Sequence, residues 1–343
     1  MAAKKEKKKV NLALQGGGAH GAFTWGILDK FLEKDLFTIE AISATSAGSM
    51  NAVVLAQGMM EGGNDGARKR LHEFWKAMSE CGERMGLTQQ TPMDYLLEPL
   101  LKVPMSFYYF NAITNMLSPY QFNPFNYHPV REVLESILDI EKLKKESTVQ
   151  LFICATNVKT GKIRIFNEEE LSVNAILASA CLPKLFQAVE VENEFYWDGG
   201  YLGNPAIFPL IYNTNVHDII ICHVVPIVRQ HIPTSVIEID TRLREVSFNS
   251  SLMREMRAIG FVTKMIDENW IKDEFKDNLK RLYIHCLRAD HALLEFPAAS
   301  VYVPDWNFLL ELRDLGRLAA EQWLKENFDS IGKKTTIDFD EWL

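Results

Sequence analysis

The chain has 343 residues, of which 47% are hydrophobic and 24% charged, a globular composition with ample material for a core. Its 37 lysines and arginines against 45 acids leave a net charge of −8, which argues against nucleic acid as a partner. The five scattered cysteines (Cys81, Cys154, Cys181, Cys222, Cys286) form no C-x-x-C pair and no apolar run approaches a membrane span, so a cytoplasmic, reducing setting with free thiols is expected.

Residues 1–9, with Lys4, Lys5, Lys7, Lys8 and Lys9, lack the apolar core of a signal peptide and read as a disordered basic tail; weak attraction to anionic lipid is the functional alternative. Residues 10–14 form a first strand. Gly16, Gly17 and Gly18 follow, then Gly21 at the start of a helical run over 22–32. Such glycines let a backbone approach a ligand with its N–H groups free. Two chemistries want this loop. One is an oxyanion hole; the other is a dinucleotide pyrophosphate site, since Gly16-x-Gly18-x-x-Gly21 also spells that fingerprint. A dinucleotide fold wants an acid near the end of the second strand, but Glu40 falls early in it.

That second strand opens the stretch 38–52 and ends at Ser46, which is flanked by the small residues Ala44 and Gly48 and followed by a buried helix. A serine on a tight strand-to-helix turn has the makings of a nucleophile elbow, with Ala44 in place of the usual first glycine. A serine here also suits plain helix capping.

Residues 62–66 read as a loop and 67–78 as a helix. Nine aromatics fall among the 33 residues from Tyr95 to Tyr127, broken by Pro99, Pro104, Pro119 and Pro124. This window suits either an apolar cap over an acyl-chain pocket, touching lipid, or an insertion packed on the main core. A helix is expected over 130–143, strands over 149–156 and 163–166, and a helix over 173–180. A hairpin about Glu192 and Asn193 then delivers Asp198-Gly199-Gly200. An acid on so open a turn can reach across a cleft or make an ordinary Asx-turn. A strand over 218–225 carries Cys222 and His223, whose side chains face opposite sides, so no metal site is expected. One or two long helices over 236–276, a strand within 279–287 and a final amphipathic helix over 307–328 complete an α/β layered fold.

With these elements placed, three motifs in order resemble the patatin-like phospholipases: Gly16-Gly17-Gly18-Ala19-His20-Gly21, then Ala44-Thr45-Ser46-Ala47-Gly48, then Asp198-Gly199-Gly200. Residues 178–186 and Asn204-Pro205 resemble weaker blocks of the same family. The resemblance spans about 10–210. It implies a three-layer fold with a mostly parallel central sheet and helices on both faces. It also implies a serine acylhydrolase acting on lipid esters, with Ser46 as nucleophile, Asp198 as base, and Gly16, Gly17 and Gly18 as oxyanion donors. Ala44, Gly48, Gly199 and Gly200 would support the turns. No cofactor or metal is implied; the partners are a lipid or other acyl ester and, transiently, a membrane surface. His20 stands where the family more often carries arginine or lysine.

The expected organisation is a tail over 1–9, a catalytic core over 10–225 with a cap insertion at about 85–130, and a mostly helical region over 226–343 packed on the core. Two other readings compete. One recruits His223, His285 or His291 to a Ser–Asp–His triad. The other is a non-catalytic module that binds lipid or a dinucleotide through the glycine loop. The sequence leaves the oligomeric state open.

Overall fold

Apolar side chains alternate along the central strands and so divide the interior into two cores. On β1 (Lys8–Leu14), Val10, Leu12 and Leu14 enter one core while Ala13 enters the other. On β2 (Phe37–Thr45), Ile42 and Ala44 face the first and Ala41 the second. Successive strand side chains point to opposite faces. A strand that is apolar on both faces must therefore be covered by helices on both.

The computed structural model describes residues 6–86, 112–272, 274, 279–296 and 298–342. Its sheet runs β5-β6-β3-β2-β1-β7-β8, with β4 (Ile163–Phe166) also paired to β3 (Gln150–Asn157). The five strands β3, β2, β1, β7 (Asp218–His223) and β8 (Tyr283–Arg288) are parallel. The strands β4, β5 (Val189–Val191) and β6 (Glu194–Asp198) run antiparallel at one side. The first face is covered by α1 (Gly21–Lys34), by α2 (Ala47–Arg84) and, through Leu309 and Leu312, by a C-terminal helix described below.

Between β2 and β3 lie α3 (Pro129–Ile137) and α4 (Ile140–Glu146), and α5 (Val173–Ser179) precedes the β5–β6 hairpin. The second face is covered by α6 (Phe208–Asn213) and α7 (Val236–Asp267), through Leu210, Leu252, Met256 and Ile259. The C-terminal helix is α8 (Trp306–Asn327), tied to α1 by Arg317, which pairs with Asp29 and Glu33. The expected three-layer α/β architecture is the one observed.

Three boundaries differ from the sequence reading. Strand β1 starts at Lys8, whose ammonium donates to the Phe328 and Ile331 carbonyls at 2.6 and 2.9 Å, so Lys8 and Lys9 belong to the sheet and not to a tail. The loop expected over 62–66 is a kink at Gly62 and Gly63 within the span of α2. The helix expected over 130–143 is two, because Asp139 caps α4 by accepting from the Lys142 N–H at 3.0 Å. Of the aromatic window, residues 95–111 lie outside the described residues. In the hairpin, Glu192 and Asn193 both take positive φ (53° and 65°), the backbone a two-residue turn between right-twisted strands demands.

Candidate active site

Ser46 follows the last residue of β2 and takes φ 55°, ψ −125°, a conformation costly to any residue with a Cβ. Its hydroxyl makes no capping hydrogen bond to α2, so helix capping does not explain the serine. The strain is held from beneath. The Ser46 N–H donates to Ser179 Oγ at 2.9 Å, and Ser179 Oγ lies 2.8 Å from Ser49 Oγ. Gly48 permits the turn, because a methyl there would sit 2.3 Å from the Leu14 carbonyl oxygen. Ala44 is buried on β2 and is accommodated in place of glycine.

Strand register brings Asp198 to the same level of the sheet. Thr45 pairs with Cys154 on β3, and the next β3 residue, Ala155, pairs with Asp198 on β6. Two strand spacings, about 10 Å, then separate the backbones. The Asp198 side chain is fully buried. Its Oδ1 accepts from the Gly200 N–H at 2.7 Å, so the Asx-turn forms, while its Oδ2 has no hydrogen-bond partner. Burial raises the Asp198 pKa to about 7, against the opposing pulls of the Gly200 N–H, the Ser46 hydroxyl and the Arg244 charge. The Ser46 hydroxyl is thus near enough to act on the carboxyl. No hydrogen bond of ordinary geometry joins it to Oδ2, and such bonds often tighten only when substrate binds.

The glycine loop abuts the serine: a methyl on Gly16 would lie 2.5 Å from Ser46 Cβ. The three glycines are not equivalent. Gly16 is clamped by Asn204, whose Oδ1 accepts the Gly16 N–H at 2.7 Å and whose Nδ2 donates to the Gly16 carbonyl at 3.3 Å. Its amide is therefore committed, which corrects the grouping of Gly16 with the open donors. Gly17 and Gly18 line the cavity, and their N–H groups donate to no acceptor among the described residues. Gly18 takes φ +56° with the Val301 carbonyl close behind it. Gln15 braces the loop from behind, accepting from the Val224 and Val225 N–H groups at 2.8 Å each and donating to Asn249 Oδ1 at 3.0 Å. Replacing Asn204 by alanine removes both clamps. Turnover is expected to fall roughly tenfold or more and stability by about 1–3 kcal/mol, measured by initial rates and chemical unfolding.

Ser46, Asp198, Gly17 and Gly18 share a cavity of about 440 Å³. Its apolar walls include Met50, Phe74, Trp75, Met78, Phe122 and Phe186. The described part of the expected cap contributes Met85, Phe122, Asn123, Tyr127, Pro129 and Val130 to the lining. The opposite wall comes from the C-terminal region: Thr241, Arg244, Glu245 and Phe248 of α7, and residues 301–304. Nothing in the sequence motifs pointed to that wall. Phe248 fell only within a stretch read as one or two long helices.

The histidines do not complete a triad. His223 is buried with Nε2 3.0 Å from Asn249 Oδ1, and His285 pairs with Asp218 and Thr336 at the start of β7. Neither lines the cavity. The backbone of His291 lies in a short helix after β8. His20 does line the cavity, but burial and the charges of Arg229 and Arg244 lower its pKa to about 3 and leave it neutral, with Nε2 2.8 Å from Ser300 Oγ. Glu40, the acid a dinucleotide reading would use, pairs with Lys9 at 2.8 Å.

The sequence pattern of the patatin-like phospholipases matches residues 12–211. The chain belongs to the patatin-like phospholipase family. Its matched span runs from β1 past Asp198 and Asn204 to α6, and so excludes the wall built by α7 and 301–304. No curated protein matches the chain. Among solved structures it is similar to VipD from Legionella pneumophila (15% identity, TM-score 0.42, covering 93% of this chain and 67% of that one). It is also similar to the type III effector protein ExoU (15% identity, TM-score 0.35, covering 94% and 54%). A third is the complex of SpcU with ExoU from Pseudomonas aeruginosa (14% identity, TM-score 0.31, covering 93% and 53%). The chain thus spans about two thirds of the first and half of the other two. Among the described residues no helix is long and apolar enough to cross a membrane.

Proposed function

We propose that the protein is a serine acylhydrolase that cleaves lipid esters with Ser46 as nucleophile and Asp198 as general base. Family membership supports a lipid hydrolase. The observation that carries the residue roles is the strained Ser46 sharing one apolar cavity with a buried carboxyl whose Oδ2 is unpartnered. Ser46 Oγ attacks the ester carbonyl carbon, a new C–O bond forms, and the hydroxyl proton passes to Asp198 Oδ2. The carbonyl oxygen becomes an anion that the Gly17 and Gly18 N–H groups receive. The anion collapses, the bond to the alcohol breaks, and Asp198 returns its proton to the leaving oxygen. Water then repeats the sequence on the acyl-enzyme and releases the fatty acid. The apolar walls hold the acyl chain.

An ordinary exposed aspartate is too weak a base for this work, and burial removes that difficulty. The base form of Asp198 is the deprotonated one, so kcat/KM is expected to rise with pH along a single ionisation near 7 and then level. A flat profile between pH 5 and 9 in a rate limited by chemistry would contradict the assignment. The direct test is labelling of Ser46 by a fluorophosphonate, alongside turnover of short esters, lysophospholipids and phospholipids. Absence of both labelling and turnover in the folded protein would remove the reading in favour of a binding module.

A further inference from the structure

Arg244 lies on α7, beyond the span that matches the family, yet it lines the same cavity as Ser46 and Asp198. Its charge acts on both Asp198 and His20, which line the same cavity. Among the described residues no carboxylate lies within ion-pair reach of it. Glu245, beside it in sequence, is already shared by Arg229 at 2.5 Å and Arg242 at 3.1 Å. The guanidinium donates to the Tyr302 hydroxyl and its centre sits 4.9 Å from the Tyr302 ring centroid.

Five N–H donors belong to an arginine, and a single side-chain acceptor meets one of them here. The residue is half-buried, and burial pulls its pKa below the ordinary value without discharging it. Covering an apolar wall with its stem would account for the packing on Tyr302. It would not account for placing a cation without an ion-pair partner in the cavity that holds the reacting groups, where desolvation penalises it. His20 is neutral and Arg229 is paired, so Arg244 is the cation left with donors to offer in the described lining. A planar fork of N–H groups fits a phosphate, which it can hold through two parallel hydrogen bonds.

We propose that Arg244 forms an anion subsite that receives the phosphate of a phospholipid substrate and selects it over a neutral acylglycerol. This rests on the acylhydrolase reading of Ser46 and Asp198. The subsite places the phosphate on the α7 side of the cavity, with the acyl chain against the apolar wall of α2 and the described cap.

The test compares wild type, Arg244→Gln and Arg244→Lys on palmitoyl lysophosphatidylcholine and on monopalmitoylglycerol. Each rate is taken on the alkaline plateau of that variant's own pH profile, because Arg244 also acts on Asp198. Expected is a wild-type preference for the phospholipid that falls at least about tenfold in Arg244→Gln, mainly through KM, and is largely kept in Arg244→Lys. An equal loss on both substrates, or an unchanged ratio, would overturn the subsite. Inhibition of monoacylglycerol turnover by inorganic phosphate, abolished in Arg244→Gln but with no phospholipid preference, would overturn the lipid assignment and leave a site for free phosphate. Binding of ether-linked lysophospholipid and its phosphate-free counterpart to the Ser46→Ala protein separates the subsite from the chemistry. A phosphate preference that Arg244→Gln removes is expected there too, and its absence would overturn the proposal whatever the outcome of the hydrolysis assays.

Discussion

Replacing Ser46 by glycine is expected to abolish ester hydrolysis while leaving the protein at least as stable as wild type. The serine hydroxyl is the proposed nucleophile, and its loss should lower kcat on the order of 10⁴-fold or more. The stability term has a separate origin. Ser46 is held at φ 55°, ψ −125°, where a Cβ costs about 1–3 kcal/mol. Glycine is relieved of that strain and gives back roughly 0.5–1 kcal/mol in chain entropy. The net expectation is a gain of about 1 kcal/mol, read as a raised denaturant midpoint with an unchanged slope. Ser46→Ala should be equally inactive with no such gain, since alanine keeps the Cβ. Retained turnover in either purified variant would remove Ser46 from its role. A glycine variant clearly less stable than the alanine variant would contradict the strain.

Asp198→Asn should lower turnover on the order of 10³-fold or more, because an amide cannot take the serine proton. The geometry should survive, since Asn Oδ1 can still accept from the Gly200 N–H that now bonds Asp198 Oδ1 at 2.7 Å. The stability consequence follows from the raised pKa of about 7. The folded state holds the Asp198 proton more tightly than the unfolded chain does. The stability this contributes is present at low pH and is lost as pH rises through about 7. The asparagine variant escapes that loss. Its advantage over wild type should be small near pH 4 and grow to the order of a few kcal/mol by pH 8. Unfolding curves of the two proteins at pH 5 and pH 8 provide the measurement. An advantage that shrank with rising pH would mean that the carboxyl is not held protonated by burial.

Both variants concern residues that short-range pattern could flag. A strand ending in small residues around Ser46 and an Asp-Gly-Gly turn after a hairpin are local features. Glu192 and Asn193 were likewise legible, because their turn chemistry is local. The misplaced boundaries have local causes of another kind. The break before α4 depends on Asp139 capping in preference to letting one helix run on. The kink at Gly62 and Gly63 shows two glycines interrupting a helix without dissolving its flanks into a loop.

The succession of strands and helices determined, without coordinates, an α/β layered fold, and the ordered motifs singled out Ser46 and Asp198. Those are properties of neighbours along the chain. Only the tertiary structure decided which glycine amides remain open, because the Gly16 N–H is taken by a side chain 188 residues away. It alone placed Arg244 in the cavity that holds the serine. A buried amide or a lone cation acquires its role from whatever long-range packing sets against it, and no periodicity in the sequence encodes that partner.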